Sequence, residues 1–166
     1  MINNFDICTE RIVEKCFYIE DGDNQKPAEI NYINGEFKVV NNANSPMNFL
    51  KIDSCIYDST DDTRCDCAIY NHNTFCFIEL KCIRPSKFTK NRKKAESQLE
   101  ATIVDFKDED LLRNRTLEAY VSLNCQIKID DIFEPITQKP KNSEKEAHFI
   151  ETLNTRLYYD TKKEFN

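Results

Sequence analysis

The run Thr74-Phe75-Cys76-Phe77-Ile78-Glu79-Leu80-Lys81-Cys82 constrains the fold more than any other part of the chain. Side chains alternate between the two faces of a strand. Phe75, Phe77, Glu79 and Lys81 therefore share one face, and Cys76, Ile78, Leu80 and Cys82 the other. Both faces are largely apolar, which predicts a central strand covered on both sides. At its C-terminal end a carboxylate and an ammonium enter low dielectric, which is costly unless each is paired or bound to a cation. A Glu79–Lys81 ion pair that satisfies itself is the plain structural explanation, and a lone Glu-x-Lys carries little functional information.

The preceding segment adds a second acid. Arg64-Cys65-Asp66-Cys67-Ala68-Ile69-Tyr70 also reads as a strand, and Asn71-His72-Asn73 supplies turn chemistry between the two. In the resulting hairpin, antiparallel pairing brings Asp66, near the start of one strand, beside Glu79 and Lys81 at the end of the other. Two carboxylates meeting there raise a pKa unless a divalent cation neutralises them. Oxygen donors of this kind suit magnesium or manganese better than zinc. Lys81 stands at a strand end, so its removal is expected to leave folding intact.

Beyond the strand the charge changes sign locally. Arg84, Lys87, Lys90, Arg92, Lys93 and Lys94 follow one another with no acid before Glu96, in a protein of formal charge −6. Such a run is either a solvated face or a patch that steers a phosphate backbone to the adjoining carboxylates. From Lys93 the pattern turns helical, with Ala95, Leu99, Thr102, Ile103 and Phe106 on one stripe. Gln98 lies beside that stripe, where its amide is expected to face the acids or the solvent.

Asp66, Glu79-Leu80-Lys81 and Lys94-Ala95-Glu96-Ser97-Gln98-Leu99, in that order, resemble the PD-(D/E)xK, or restriction-endonuclease-like, nuclease superfamily. The resemblance covers about residues 50–125, and Cys65 stands where the family name places proline. It implies an α/β fold, a mixed β-sheet flanked by α-helices. It also implies a Mg²⁺ or Mn²⁺ ion held by Asp66, Glu79 and the backbone carbonyl of Leu80. In that picture Lys81 orients or deprotonates the attacking water, and Gln98 supports the site. A metal polarises phosphoryl oxygen and acidifies bound water, and a lysine on a dry strand near cations loses its proton more readily than a free one.

Relatives with two metals draw another acid from an early helix. Phe5, Cys8, Ile12 and Cys16 suggest a helix over residues 5–16, with Glu10 and Glu14 on its solvated side. Asp53, read on a strand Leu50–Tyr57, is the better candidate for an additional ligand. The eight cysteines contain no Cys-x-x-Cys pair; core packing of reduced thiols is the expectation, with Cys65 and Cys67 facing away from Asp66. His72 and His148 read as structural or exposed.

The remaining chain reads as frame: a surface connection over 20–34, strands at Gly35–Val40 and Leu117–Cys125, and a loop over 127–141. A helix capped by Ser143 and Glu146 and a terminal strand Arg156–Tyr159 complete it. The length suits a single domain over residues 1–166. No run resembles a membrane helix or signal peptide, so a soluble, cytoplasmic protein is expected.

The expectation is thus a metal-dependent nuclease, endo- or exo-acting, most plausibly on DNA. Restriction, antiviral defence and DNA repair are the candidate settings. Nothing resembles a helix-turn-helix or zinc finger, so a homodimer or a partner protein would supply target choice. An RNA endonuclease and a catalytically inactive nuclease fold that binds protein or nucleic acid are the alternatives.

Overall fold

The computed structural model describes residues 4–22, 26–58, 63–81, 87–123 and 144–166. In chain order the elements are α1 (Phe5–Cys8), β1 (Thr9–Ile12), β2 (Cys16–Glu20), β3 (Glu29–Asn31), β4 (Phe37–Asn41) and β5 (Met47–Lys51). After a kinked turn over Ile52–Ile56 come β6 (Cys67–Tyr70), β7 (Thr74–Lys81), α2 (Phe88–Phe106), β8 (Thr116–Leu123), α3 (Glu144–Leu153), β9 (Thr155–Tyr158) and β10 (Lys162–Phe165). The architecture is mixed α/β.

The described strands form a six-stranded sheet, ordered β1-β5-β6-β7-β8-β9, and a four-stranded sheet, ordered β10-β4-β2-β3. In the larger sheet β1, β5, β6 and β7 run antiparallel in succession, whereas β8 and β9 run parallel to β7. The β6–β7 hairpin closes on Asn71, whose Oδ1 accepts the N–H groups of Asn73 and Thr74 at 2.9 Å each. This is the local side-chain turn that asparagine favours.

As its alternation requires, β7 is covered on both faces. Phe75 and Phe77 enter a core shared with Ala95, Leu99, Ile103 and Phe106 of α2, while Cys76, Ile78 and Leu80 meet Phe17, Phe37 and Val39 of the smaller sheet. The helix α2 buries the expected stripe and begins at Phe88, itself buried, before the apolar period becomes readable.

Other expectations fail for identifiable reasons. The helix expected over residues 5–16 stops at Cys8, and Thr9–Ile12 becomes an edge strand paired with Met47–Leu50. Apolar spacing alone could not foresee that pairing partner, which overrides local propensity. The surface connection over 20–34 contains β3, a strand too short to announce itself. Likewise β10 carries a single buried apolar residue, Phe165, and depends on parallel pairing with β4.

The strand expected to reach Tyr57 ends at Lys51. In the following turn Asp53 is extended and Ser54 is left-handed, at φ 59°. Cys8 and Cys55 form a disulfide rather than packing as thiols, and so tie α1 to this turn. Cys82, Arg84, Cys125, the loop over 127–141 and Ser143 lie outside the described residues. Among those described, no helix is long and apolar enough to cross a membrane.

Candidate functional site

Asp66 immediately precedes β6. Continuing the register Cys67↔Ile78 by one residue sets it opposite Glu79. Three backbone contacts hold it there. Its carbonyl accepts the N–H groups of Ile52 and Asp53 at 3.1 Å each, and its Oδ2 accepts the Leu80 N–H at 2.6 Å. The two preceding residues are anchored to α2: Gln98 Nε2 donates to the Arg64 carbonyl at 2.9 Å, and the Cys65 N–H donates to Thr102 Oγ1 at 2.8 Å. The helix, the turn and the next strand therefore all fix the position of one carboxylate.

Glu79 is 0% exposed. One of its oxygens, Oε1, is in close contact with Lys81 Nζ; the other, Oε2, is wholly buried and finds no hydrogen-bond donor among the described residues. Gln98 is 8% exposed, and its Oε1 is likewise buried without a donor among the described residues. Desolvated acceptors left in this condition are expensive and need a donor or a cation.

Electrostatics follow from that burial. Desolvation pushes the Asp66 carboxyl up to about 7; the charges of Asp21 and Asp53 add to the effect, while Lys81 and the Leu80 N–H oppose it. Glu79 is raised well above the usual carboxylate range, first by burial and then by Asp66, with Lys81 pulling the other way. For Lys81 burial is the largest single influence and lowers its pKa, but the charges of Glu79 and Asp66 and the hydrogen bond to Glu79 outweigh it. With carboxylates and no cation beside it, its ammonium holds its proton more firmly than a free lysine. Nor is Lys81 an exposed strand-end group, since its side chain is 21% exposed against the buried Glu79.

Asp53 reaches Asp66 through its backbone N–H, from the turn rather than from a strand. At Asp66 the structure places the N–H of Leu80. Cys65 and Cys67 do not share an orientation: Cys65, ahead of the strand and outside its alternation, packs in the core on the α2 side, and Cys67 packs between the sheets. Burial, then the Glu79 charge, raises the Cys65 thiol well above its ordinary range, with Asp66 adding to the effect. It is an inert thiol beside the carboxylates.

Lys87, Lys90, Lys93 and Lys94 are exposed at the start of α2. Arg92 instead pairs with the buried Glu96 at 3.4 Å, and Glu96 also accepts the Tyr159 hydroxyl at 2.7 Å, so this arginine belongs to the helix packing. His148 contacts Glu100 at 2.7 Å between the two long helices, and His72 lies in the hairpin turn. A cavity of about 490 Å³ lined by Arg115, Leu117, Ile150, Asn154 and Arg156 lies at the opposite end of the parallel strands from Glu79.

Asp21 was not anticipated. It follows β2 on the smaller sheet, and its charge acts on Asp66, Glu79 and Lys81 together. A signal did exist in the sequence: the chain has only two glycines, Gly22 next to Asp21 and Gly35 next to Glu36. Among the described residues no group of three or more His, Cys, Asp or Glu side chains converges to hold a metal ion. Asp66 and Glu79 offer two carboxylates whose all-oxygen chemistry, with a Glu79 oxygen that has no partner among the described residues, fits a hard divalent cation that keeps several waters.

Comparison with known proteins finds no matching family model, no matching curated protein and no matching solved structure.

Proposed function

We propose that this chain is a metal-dependent nuclease, a divergent PD-(D/E)xK protein that hydrolyses phosphodiester bonds in DNA. The observation that carries the reading is the meeting of Asp66, Glu79 and Lys81 at the ends of paired strands, with one Glu79 oxygen buried and without a donor among the described residues. Asp66 and Glu79 would hold Mg²⁺ or Mn²⁺, which when bound polarises phosphoryl oxygen and acidifies water. Lys81, kept protonated by its neighbours, would stabilise charge on the phosphate and orient the water, in preference to acting as a base. Gln98 would hold the Arg64–Asp66 segment in place through the Arg64 carbonyl.

The first turn of α2 supports an anionic substrate. It contains no acid, and its lysines oppose the helix macrodipole, which favours negative charge at an N-terminus. Exposed ammonium groups at a helix N-terminus make an anion-binding end. A cytoplasmic setting in defence, restriction or repair, with target choice supplied by a dimer or partner, belongs to the same proposal.

The test is incubation of plasmid, single-stranded DNA and RNA of equal sequence with the protein in Mg²⁺ and in Mn²⁺. Cleavage is expected for the wild type and absent in Asp66→Ala, Glu79→Ala and Lys81→Ala. The close Lys81–Glu79 contact favours the second reading, a nuclease fold that binds without cutting, because the pair neutralises itself. Retained nucleic-acid binding with no cleavage of any substrate in either metal establishes that alternative.

A further inference from the structure

A turn and a disulfide stand behind the backbone carbonyl of Asp66. The N–H groups of Ile52 and Asp53 donate to that carbonyl at 3.1 Å each, and the Tyr57 N–H closes the turn on the Ile52 carbonyl at 3.1 Å. Between these bonds the backbone leaves any regular path: Asp53 is extended and Ser54 is left-handed, at φ 59°. A residue with a Cβ enters that region at a cost and stays there only where its surroundings enforce it. Ser54 has no local compensation, since its Oγ is buried with no hydrogen-bond partner among the described residues.

The enforcement comes from the N-terminal segment. Cys55, in the turn, is joined to Cys8, 47 residues earlier at the end of α1. A helix of four residues is too short to be stable alone. Phe5 fixes it by meeting Phe106 of α2 edge-on at 5.5 Å, and Thr9 Oγ1 donates to the Phe5 carbonyl at 2.6 Å. Thr9 then begins β1, which pairs with β5 at the edge of the larger sheet. The covalent link therefore runs from that edge, through α1, into the turn just beyond Asp53.

Cys8 is 2% exposed and Cys55 half-buried, so Cys55 is the side open to an external thiol. Cys65, Cys67 and Cys76 are buried thiols. In a reducing compartment a protein disulfide is usually transient or sensing rather than structural.

We propose that Cys8–Cys55 is a redox switch of the candidate site: closed, it holds the turn against Asp66, and opened by a dithiol reductant it releases the turn and weakens the divalent-cation site. The inference rests on the metal-site reading above and adds its regulation. In the exchange a thiolate of the dithiol attacks Cys55 Sγ, the bond to Cys8 Sγ breaks, and Cys8 departs as a thiolate that takes up a proton. The second thiol of the reductant then attacks the mixed disulfide and frees Cys55 as a thiol. The dithiol ends as a disulfide, two electrons and two protons having passed to the protein, and an oxidised dithiol reverses each step.

Amide hydrogen exchange and Mn²⁺ titration by calorimetry test it on the full chain, oxidised and after reduction by dithiothreitol that is then removed anaerobically. Reduction is expected to speed exchange at Ile52 and Asp53 about tenfold or more while leaving Leu157 of β9 unchanged, the pattern of a local opening. It is also expected to weaken Mn²⁺ binding about tenfold, the usual effect of freeing a group that orients a ligand. Cys55→Ser, which cannot form the bond, should match the reduced wild type in both measurements and ignore dithiothreitol.

Equal Mn²⁺ affinity in the oxidised and reduced protein overturns the switch and leaves the metal site standing. Exchange that rises throughout both sheets on reduction overturns it too, because the bond is then a general staple of the fold. An oxidised protein that binds no Mn²⁺ removes the metal site itself, and the switch with it.

Discussion

A carboxyl group that keeps its proton up to about 7 gives the metal-free protein a pH response opposite to that of a surface-paired aspartate. An unfolded aspartate titrates near 3.9. Between these values the folded protein binds the extra proton, so stability is greatest at low pH and falls as pH rises from about 4 through about 7. The loss attributable to Asp66 is on the order of 4 kcal/mol, and the raised Glu79 extends it to higher pH. Denaturant melts of metal-free protein should therefore weaken from pH 5 to pH 8, and Asp66→Asn should flatten that slope. Mn²⁺ should recover stability at pH 8 and do little at pH 5, because binding requires the ionised carboxylates. At this scale much was legible: strand alternation and a short turn bring Asp66, Glu79 and Lys81 together. The state of Lys81 was not, because burial and neighbouring charge are properties of packing. Nor was the cost of losing it, since Glu79 beside it is fully buried.

The helix α2 serves two purposes with two ends. Its later turns bury Leu99, Thr102, Ile103 and Phe106 against the larger sheet, and Thr102 links Gln98 to Cys65 by accepting the Cys65 N–H and donating to the Gln98 carbonyl at 2.8 Å each. Its first turns are exposed and basic. Replacing Lys87, Lys90, Lys93 and Lys94 by Gln should weaken DNA binding and reduce the salt slope by about 0.9 for each lysine that contacts phosphate. The same changes relieve positive charge at a helix N-terminus, so thermal stability should hold or rise slightly. A fall in stability with an unchanged salt slope would make the lysines structural. The apolar stripe announced this helix from sequence, but its start at Phe88 was hidden because the basic run interrupts the period. The opening segment shows the converse. Helical spacing at Phe5, Cys8 and Ile12 coexists with strand pairing to β5, and the partner strand decides.

At the scale of the molecule the larger sheet is covered by helices on one face and by the smaller sheet on the other. Phe37 of β4 is fully buried between the sheets and meets Tyr120 edge-on at 5.3 Å. Phe37→Ala should cost about 3–5 kcal/mol, the usual effect of emptying a buried aromatic site. Chemical denaturation measures it, and a cost below about 1 kcal/mol would mean that the smaller sheet is not part of the same cooperative core.

What the chain determined by itself was local: the hairpin, the doubly covered strand, the long helix and the acids at the strand ends. These follow from periods of two and 3.6 residues and from turn chemistry, which operate over a few neighbours. The tertiary structure decided that Cys8 meets Cys55, that Thr9–Ile12 pairs with Met47–Leu50, and that Gln98 of the helix holds the Arg64 carbonyl. Each of these joins residues far apart in the chain through pairing or burial, and such contacts leave no periodic trace in sequence.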